Sequence, residues 1–485
     1  MRVRTLKTLR IDPVTRVEGH LAVETHVENG RVADARIAGR MYRGFEQLLI
    51  GRHPVDAARI TQRICGICHE VHGIAASIAL EDLYGITPSA NGLILRDLIL
   101  GLHLVTDHIF HFYQLTLPDY LDFSRLDTYR GGDQRVLKLA RLFKSSAGTF
   151  SQKGPIDAPA DNTATLEMAL GYAEAIRVRK SAASGLASLG GKVPFCHAIL
   201  PGGVTTGVTS DRLMNYAKAL ESTSTFIRGS YLPQAKALAE FFPDYFGLGQ
   251  SHGNFYANGG FSLVSGGPLF KPGVFRNDHG LSGINLTDIS EVEDASFRVS
   301  PGPDGESPEA YSWVKALHYD GAPMEVGPLA RMVVSQDLEF RKLLEGFRQP
   351  QVKSSVMART LARAYEAEKI CRYLLKLLGN YRIDEPTIHA PDLLAKPSGE
   401  GKGMSLAARG ALNHQVTAVD GKVTRYRLQV PSAWNFGPTA RGQLGTVEAA
   451  LVGTPLKSSS GSGKDSIEVG RIIRSFDPCL ACAIH

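Results

Sequence analysis

The chain has few cysteines, no long apolar run and no block of one charge. Six cysteines in 485 residues are too sparse for a disulfide framework. No stretch of about 18 apolar residues occurs, which excludes a membrane-spanning helix. The basic opening MRVRTLKTLRIDPVTRVEGH leads into no apolar segment, so no secretory signal of the chain's own is expected. The net charge is +6, yet lysines and arginines interleave with aspartates and glutamates. No basic stripe or aromatic-basic face results, and nucleic acid is not expected as a partner. No internal repeat is present. What remains, 43% apolar and 21% charged, is an ordinary globular composition with material for a sizeable core.

Local patterning divides the chain into sheet-like ends and a helical centre. LAVETHVENGRVADARIAG sets Leu21, Val23, Thr25 and Val27 on one face and turns at Asn29-Gly30. HQVTAVDGKVTRYRLQVP repeats the device, with Asp420-Gly421 as the turn and Tyr426, Leu428 and Val430 alternating after it. Leu95, Leu98, Ile99, Leu102, Val105, Ile109 and Phe112 recur at spacings of three and four, predicting a long amphipathic helix. VMARTLARAYEAEKICRYLLKLLGN predicts a second, with Gly379 as its C-cap. The stretch from about 240 to 330 is rich in Gly, Asn, Pro and aromatics and reads as ordered loops with short strands. Ser458 to Lys464 (SSSGSGK) reads as a surface loop. The expected fold class is α+β, mainly α, with long central helices and small antiparallel sheets near both termini.

Four of the six cysteines form two matched pairs, RICGICHEVH near the start and DPCLACAIH at the end. If Cys65, Cys68, Cys479 and Cys482 share one site, the terminal segments meet at one buried metal site. Residues 1–485 are then one domain, although length alone suggests about two to four. Cys68 and His72, four apart in the first turns of a predicted helix, share a face. Spacing alone leaves a redox metal, a structural zinc and a redox dithiol open. Zinc usually clips a local loop, whereas these pairs lie at opposite ends. Arg63, His72, Asp477 and His485 beside the thiols suit proton and electron chemistry better than a clip.

RICGICxxxH and DPCxxCxxH resemble the two signature motifs of the large subunit of nickel–iron hydrogenases. PVTRVEGH (Pro13 to His20), YRGFE (Tyr42 to Glu46), HFYQLTLPDY (His111 to Tyr120), VGPLAR (Val326 to Arg331), ARGALNH (Ala408 to His414) and VPSAWNFGP (Val430 to Pro438) are similar to further blocks of that family, in its order. The resemblance implies reversible oxidation of H2 to protons and electrons. The centre would be nickel held by four thiolates, two of them bridging to an iron with two cyanides and one carbon monoxide. Cys65 and Cys479 would be terminal on nickel, and Cys68 and Cys482 would bridge to iron. Thiolate sulfur is soft and polarisable enough for both roles.

The resemblance also assigns supporting residues. Glu18 resembles the carboxylate that passes protons from a terminal thiolate. Arg409 resembles an arginine above the open metal position, expected close to Asp119 and Asp477. Pro431 and Ser432 match positions that cradle a cyanide, and His72 matches a donor to a bridging thiolate. Glu46, His485 and the backbone carbonyl of Leu428 resemble ligands of a buried Mg2+. In the family a maturation protease removes a C-terminal extension after this histidine, so the mature, processed form is expected.

Cys196 and Cys371 read as buried hydrophobes. His103, His108 and His111 read as hydrogen-bonded structural groups. His197, in GGKVPFCHAILPGG, resembles part of the family's contact with its iron–sulfur small subunit, the expected obligate partner. A membrane cytochrome or another acceptor subunit beyond it stays open. So does location: cytoplasmic, or membrane-associated or periplasmic if exported with a twin-arginine small subunit. Ala407-Ala408 before Arg409, Ile67 between the first cysteines and Pro118 before Asp119 depart from many relatives. The alternative from another class is a metal-free structural or electron-coupling subunit like that of respiratory quinone-reducing complexes; all four cysteines argue against it.

Overall fold

The computed structural model describes residues 7–145, 157–159, 162–297, 310–389, 392–456 and 466–485. The loop expected at Ser458 to Lys464 lies outside them. The chain is helix-rich with small antiparallel sheets. Leu21–Glu28 and Arg31–Gly39 pair across Asn29-Gly30, whose φ values of 51° and 75° make the tight turn that suits strand twist. A strand at Lys7–Ile11, absent from the sequence pattern, adds to the outer edge. The second sheet has the order Gly399–Ala407, Gly410–Val419, Lys422–Gln429, with Asp420-Gly421 as its left-handed turn.

Between the sheets run the helices His69–Tyr84, Ala90–Phe110, Asn162–Gly190, Ser210–Phe226 and Val356–Leu378. Ser89 caps the second by accepting from the Gly92 N–H at 3.0 Å, and Ser355 caps the last by accepting from Ala358 at 3.2 Å. Gly379 is the C-cap but keeps a helical φ of −68°. The Ala90–Phe110 helix does not stop at Phe110. It widens into a π-helical turn over His111–Thr116 and tightens into a 3-10 turn at Leu117–Asp119. The middle of the chain carries short strands, among them Phe255–Ala257, Gly273–Arg276 and Ala316–Tyr319. Among the described residues most buried apolar side chains form one continuous cluster from Val14 to Ile484, with Val292, Ala316 and Ala440 as a small separate one.

The Gly399–Ala407 strand packs directly on the His69–Tyr84 helix, which carries His72 and is capped by Cys68. The approach is close enough to exclude side chains. A Cβ on Gly401 would lie 2.1 Å from the Ala79 carbonyl oxygen, and one on Gly403 2.1 Å from that of Ala75. Both obstacles are backbone, so no rotamer change relieves them. Gly403→Ala should therefore push the strand off the helix and destabilise the protein by about 1–3 kcal/mol. Gly283→Ala, where a Cβ meets nothing within 4 Å, is the control. Thermal unfolding of both checks this, and equal midpoints would refute the packing argument.

Candidate metal centre

The site forms where the chain ends are spliced. The Glu18 N–H donates to the Pro478 carbonyl at 3.3 Å, and the Leu480 N–H donates to the Glu18 carbonyl at 2.7 Å. The splice sets Cys479 beside the Cys65–Cys68 turn. Cys65 leaves the 3-10 turn Thr61–Ile64 in extended conformation, and Cys68 caps the helix that follows. Sγ–Sγ distances are 3.3 Å for Cys65–Cys479, 3.1 Å for Cys68–Cys482 and 3.0 Å for Cys479–Cys482. These are contacts of free thiols, since a disulfide is about 2.05 Å. All four cysteines are buried, and their sulfurs lie within 4.8 Å of one another.

Four thiols this close, out of water, cannot share protons evenly. Hydrogen bonds from Cys479, Cys482 and Cys68 hold Cys65 well below the ordinary thiol range, whereas burial pushes Cys479 and Cys482 up. The Ile67 and Cys68 N–H groups point at Cys65 Sγ, at 3.2 and 3.4 Å. A soft cation among the four sulfurs would take all of them as thiolates, so the donor set fits a thiolate-bound metal. Beside Cys68, Cys479 and Cys482 lies a small cavity walled by Val71, Ala407, Leu412 and Pro431, with Arg409, Ser432 and His72 as polar members. Its volume is about 10 Å³, space for a single water-sized group, and its wall is mainly apolar. Ser432 Oγ accepts the Cys479 N–H at 2.9 Å, leaving its own O–H to donate.

Arg409 enters from the two-residue turn between Gly399–Ala407 and Gly410–Val419. Its guanidinium is buried and lies 3.1 Å from Asp477 Oδ1 and 3.5 Å from Asp107 Oδ2. The expectation that Asp119 sits beside it is corrected. Asp119 is clamped by Arg474, at 2.5 and 2.9 Å, and by Arg16. The π and 3-10 turns after Phe110 carry it to that side, and Asp107, on the regular helix, faces Arg409 instead. The two carboxylates divide their roles. Burial alone would raise Asp477, but Arg409, with His111 and Arg363, brings it below the usual range. Burial pushes Asp107 up to about 7, with Arg409 opposing and Asp477 adding to the shift.

On the other flank, His72 Nε2 lies 3.5 Å from Cys482 Sγ, and its Nδ1 lies 3.1 Å from His414 Nε2. His414 in turn reaches the Tyr426 hydroxyl at 2.9 Å. Glu18 is half-buried; burial and then Cys65 raise its carboxyl above the usual range. Glu46 Oε1 accepts the Leu428 N–H at 2.8 Å and lies 3.3 Å from His485 Nε2. It also accepts from Lys315 Nζ at 3.0 Å, which reaches Glu291 at 2.8 Å. Lys315 and Asp107 were missed because nothing in their local sequence marks them. His414 stood inside a quoted block without a role.

His108 binds Glu366 and Arg363, and His111 Nε2 donates to the Arg474 carbonyl at 2.6 Å. His103 differs: its Nε2 has no hydrogen bond and lies 3.8 Å from Asp107, in a buried group with His69 and Glu70. Cys196 donates to the Gly190 carbonyl at 3.0 Å, and Cys371 is fully buried. His197 is exposed.

The profile of a family described as nickel-dependent hydrogenase matches residues 43–153 and 138–485, and one described as HoxL-like matches residues 8–38. The chain is 34% identical over 505 residues to the periplasmic [NiFeSe] hydrogenase large subunit of Desulfomicrobium baculatum, covering 98% of this chain and 94% of that one. It is 29% identical over 553 residues to the hydrogenase-2 large chain of Escherichia coli (strain K12), covering 98% and 97%. The structure of the reduced Ni-Fe-Se hydrogenase from D. vulgaris Hildenborough superposes with a TM-score of 0.85 at 34% identity, covering 99% of this chain and all of that one.

The raised Asp107 has a measurable consequence. The folded protein keeps a proton on Asp107 up to about pH 7, whereas the unfolded chain releases it near 3.8. Between those values the native state binds more protons, so this group lowers stability as pH rises. Asp107→Asn cannot release the proton and should lose less stability than wild type between about pH 4 and about pH 7. Denaturant unfolding across that window checks the sign; parallel curves would show that Asp107 ionises normally.

Proposed function

The chain belongs to the nickel-dependent hydrogenase family as a large subunit, a nickel–iron oxidoreductase, and on that footing we propose that it catalyses reversible oxidation of H2. Its electrons leave through an iron–sulfur small subunit. The observation that carries this reading is the buried set of four free thiols contributed by both chain ends. Cys65 and Cys479 would hold nickel alone, and Cys68 and Cys482 would hold it jointly with iron. That division comes from the resemblance of the two motifs; the contacts support only a shared site, because the shortest, Cys479–Cys482 at 3.0 Å, runs across it. Nickel, with iron carrying two cyanides and one carbon monoxide, would supply the redox and Lewis-acid chemistry that cleaves H2.

The protein's own groups supply the rest. Arg409 holds a fixed positive charge over the cavity, where low dielectric strengthens its action on a polarisable substrate. Asp477, held ionised by Arg409, balances that charge, and Asp107 adds to it only as it ionises at about pH 7. Glu18, its carboxyl raised by burial, is poised to take a proton near Cys65 and pass it outward. His72 orients the Cys482 sulfur, with its tautomer set through His414. Pro431 and Ser432 form the wall expected to cradle a cyanide.

Glu46, His485 and the Leu428 carbonyl are proposed for magnesium. The 3.3 Å approach of Glu46 Oε1 to His485 Nε2 supports those two ligands, whereas the Leu428 carbonyl rests on the resemblance alone. Lys315, shared between Glu46 and Glu291, would share Glu46 with the ion. Cys196 and Cys371 are single buried thiols and provide no cluster site, which is why electron exit is assigned to a partner, with His197 on the contact surface. The continuous apolar core supports reading residues 1–485 as one catalytic unit. No helix among the described residues is long and apolar enough to cross a membrane, so a membrane acceptor would be another subunit.

Cys479→Ser should abolish nickel retention and H2 uptake, because a hydroxyl is a hard replacement for a thiolate. Metal analysis and a hydrogen electrode test this, and a metal-free but folded wild type would favour the electron-coupling alternative. Glu18→Gln should keep nickel and iron at wild-type levels while hydrogen–deuterium exchange with solvent falls about a hundredfold or more. Exchange at the wild-type rate would remove Glu18 from the proton path.

A further inference from the structure

Arg409 is a buried cation that does not fix its own direction. None of its three side-chain nitrogens has a hydrogen-bond partner within the protein, although Asp477 and Asp107 lie at ion-pair distance. Its aim over the cavity must come from the turn that carries it and from the carboxylate beside it. Both are held from the Val356–Leu378 helix. Arg363 Nη1 donates to the Ala408 carbonyl, immediately before Arg409, at 3.3 Å. The same nitrogen reaches Asp477 Oδ2 at 3.2 Å, while the other oxygen of Asp477 faces Arg409. Arg331 secures the preceding residue, donating to the Ala407 carbonyl at 3.0 Å.

Arg363 is itself held. Glu366 accepts from Arg331 at 2.7 and 2.5 Å and from His108 Nε2 at 2.9 Å. With its proton on Nε2, His108 presents Nδ1 to the same Arg363 Nη1 at 3.2 Å, so the two hydrogens of that nitrogen are shared among three acceptors. Arg331, Arg363, Glu366, His108 and Asp477 are all 3% exposed or less. Buried ion networks often stabilise no better than apolar packing of the same volume. This one ends on two consecutive carbonyls and a carboxylate, all at Arg409.

We infer that Arg363 is a positioning residue: it fixes Arg409 over the thiol cluster by gripping the Ala408 carbonyl and Asp477 together, supported by His108, Glu366 and Arg331. The inference rests on the functional reading above and goes beyond it, since Arg363 touches neither thiols nor cavity. It acts only through Arg409, and a thermodynamic cycle exposes that dependence.

The test uses the assembled, metal-containing enzyme. Arg363→Met should keep nickel and iron content while H2 uptake falls about a hundredfold, the order expected for a misplaced catalytic group. Arg363→Lys keeps the charge but gathers its donors on a single nitrogen, and should lose about tenfold. In an Arg409→Lys background, Arg363→Met should change uptake less than about twofold. The infrared bands of the iron's carbon monoxide and cyanides should shift in Arg363→Met in the direction seen for Arg409→Lys. Equal losses in both backgrounds, unshifted bands or undiminished uptake in Arg363→Met would each overturn the inference. Should Arg363→Met yield no metal-containing protein, Arg363→Lys and His108→Gln must show the same dependence on background, or the inference fails. A metal-containing wild type without H2 activity would instead overturn the functional reading, whatever the Arg363 variants do.

Discussion

Two backbone hydrogen bonds, Glu18 to Pro478 and Leu480 to Glu18, join segments at opposite ends of the chain, and the site exists only where they form. The contact is tight. Gly19 has a φ of 84°, and a Cβ there would lie 2.7 Å from the Ala481 nitrogen, so only glycine lets the C-terminal segment pass this close. One short block thus does two things: Gly19 admits the segment, and Glu18 brings a carboxyl close enough for Cys65 to help raise its pKa. Closing so long a loop costs only logarithmically more entropy than a short one, but it must be offset by contacts formed after closure. Part of that offset is apolar, since Leu480, Cys482, Ala483 and Ile484 are buried. The rest is chemical. A cation taking four thiolates binds the closed form and not the open one, so metal affinity becomes closure energy.

Charge balance explains how the region above the thiols tolerates three buried arginines. Arg331, Arg363 and Arg409 face Glu366, Asp477 and Asp107, with His108 kept neutral because burial lowers its pKa to about 4. Burial would also raise Glu366, but Arg331 and His108 bring it down to about 2, so it stays ionised. Asp107 has the longest of these ion pairs, 3.5 Å to Arg409, and it is the one pushed toward neutrality. A second negative charge beside Asp477 would have to be matched by a guanidinium that already serves two carboxylates. The group nearest to changing its charge is therefore the one most loosely held.

What the sequence disclosed and what it concealed follow from the range of each interaction. Asn29-Gly30 and Asp420-Gly421 are visible as turns because the chemistry is complete within two residues. The long helices are visible because their burial repeats with the helical period. The Gly399–Ala407 strand is nearly invisible. Its glycines at 401 and 403 erase the apolar alternation, since the helix backbone occupies the space a side chain would fill. The expectation of Asp119 beside Arg409 rests on resemblance of its block alone, with no physical signal in the residues themselves. The π-helical turn that redirects the chain before it has no sequence signature. Asp107, Lys315 and Arg363 each depend on a partner far along the chain, and one sequence shows only one side of such pairs.

The C-terminal sheet brings the separate parts of the site under one constraint. In the strand Gly410–Val419, Leu412 and His414 share a face. Leu412 walls the cavity, and His414 supports His72 against Cys482. Arg409 is delivered from the turn at one end of this strand. In register with His414 on the neighbouring strand is Leu428, whose N–H is taken by Glu46, the partner of His485. Side chains alternate with a period of two, so a one-residue slip would move His414 and Leu412 to the opposite face together. Pairing with Gly399–Ala407, itself fixed against the His69–Tyr84 helix by its glycines, prevents that slip. The strand that fixes Arg409 thereby also fixes the support of a thiol and the anchor of the chain end.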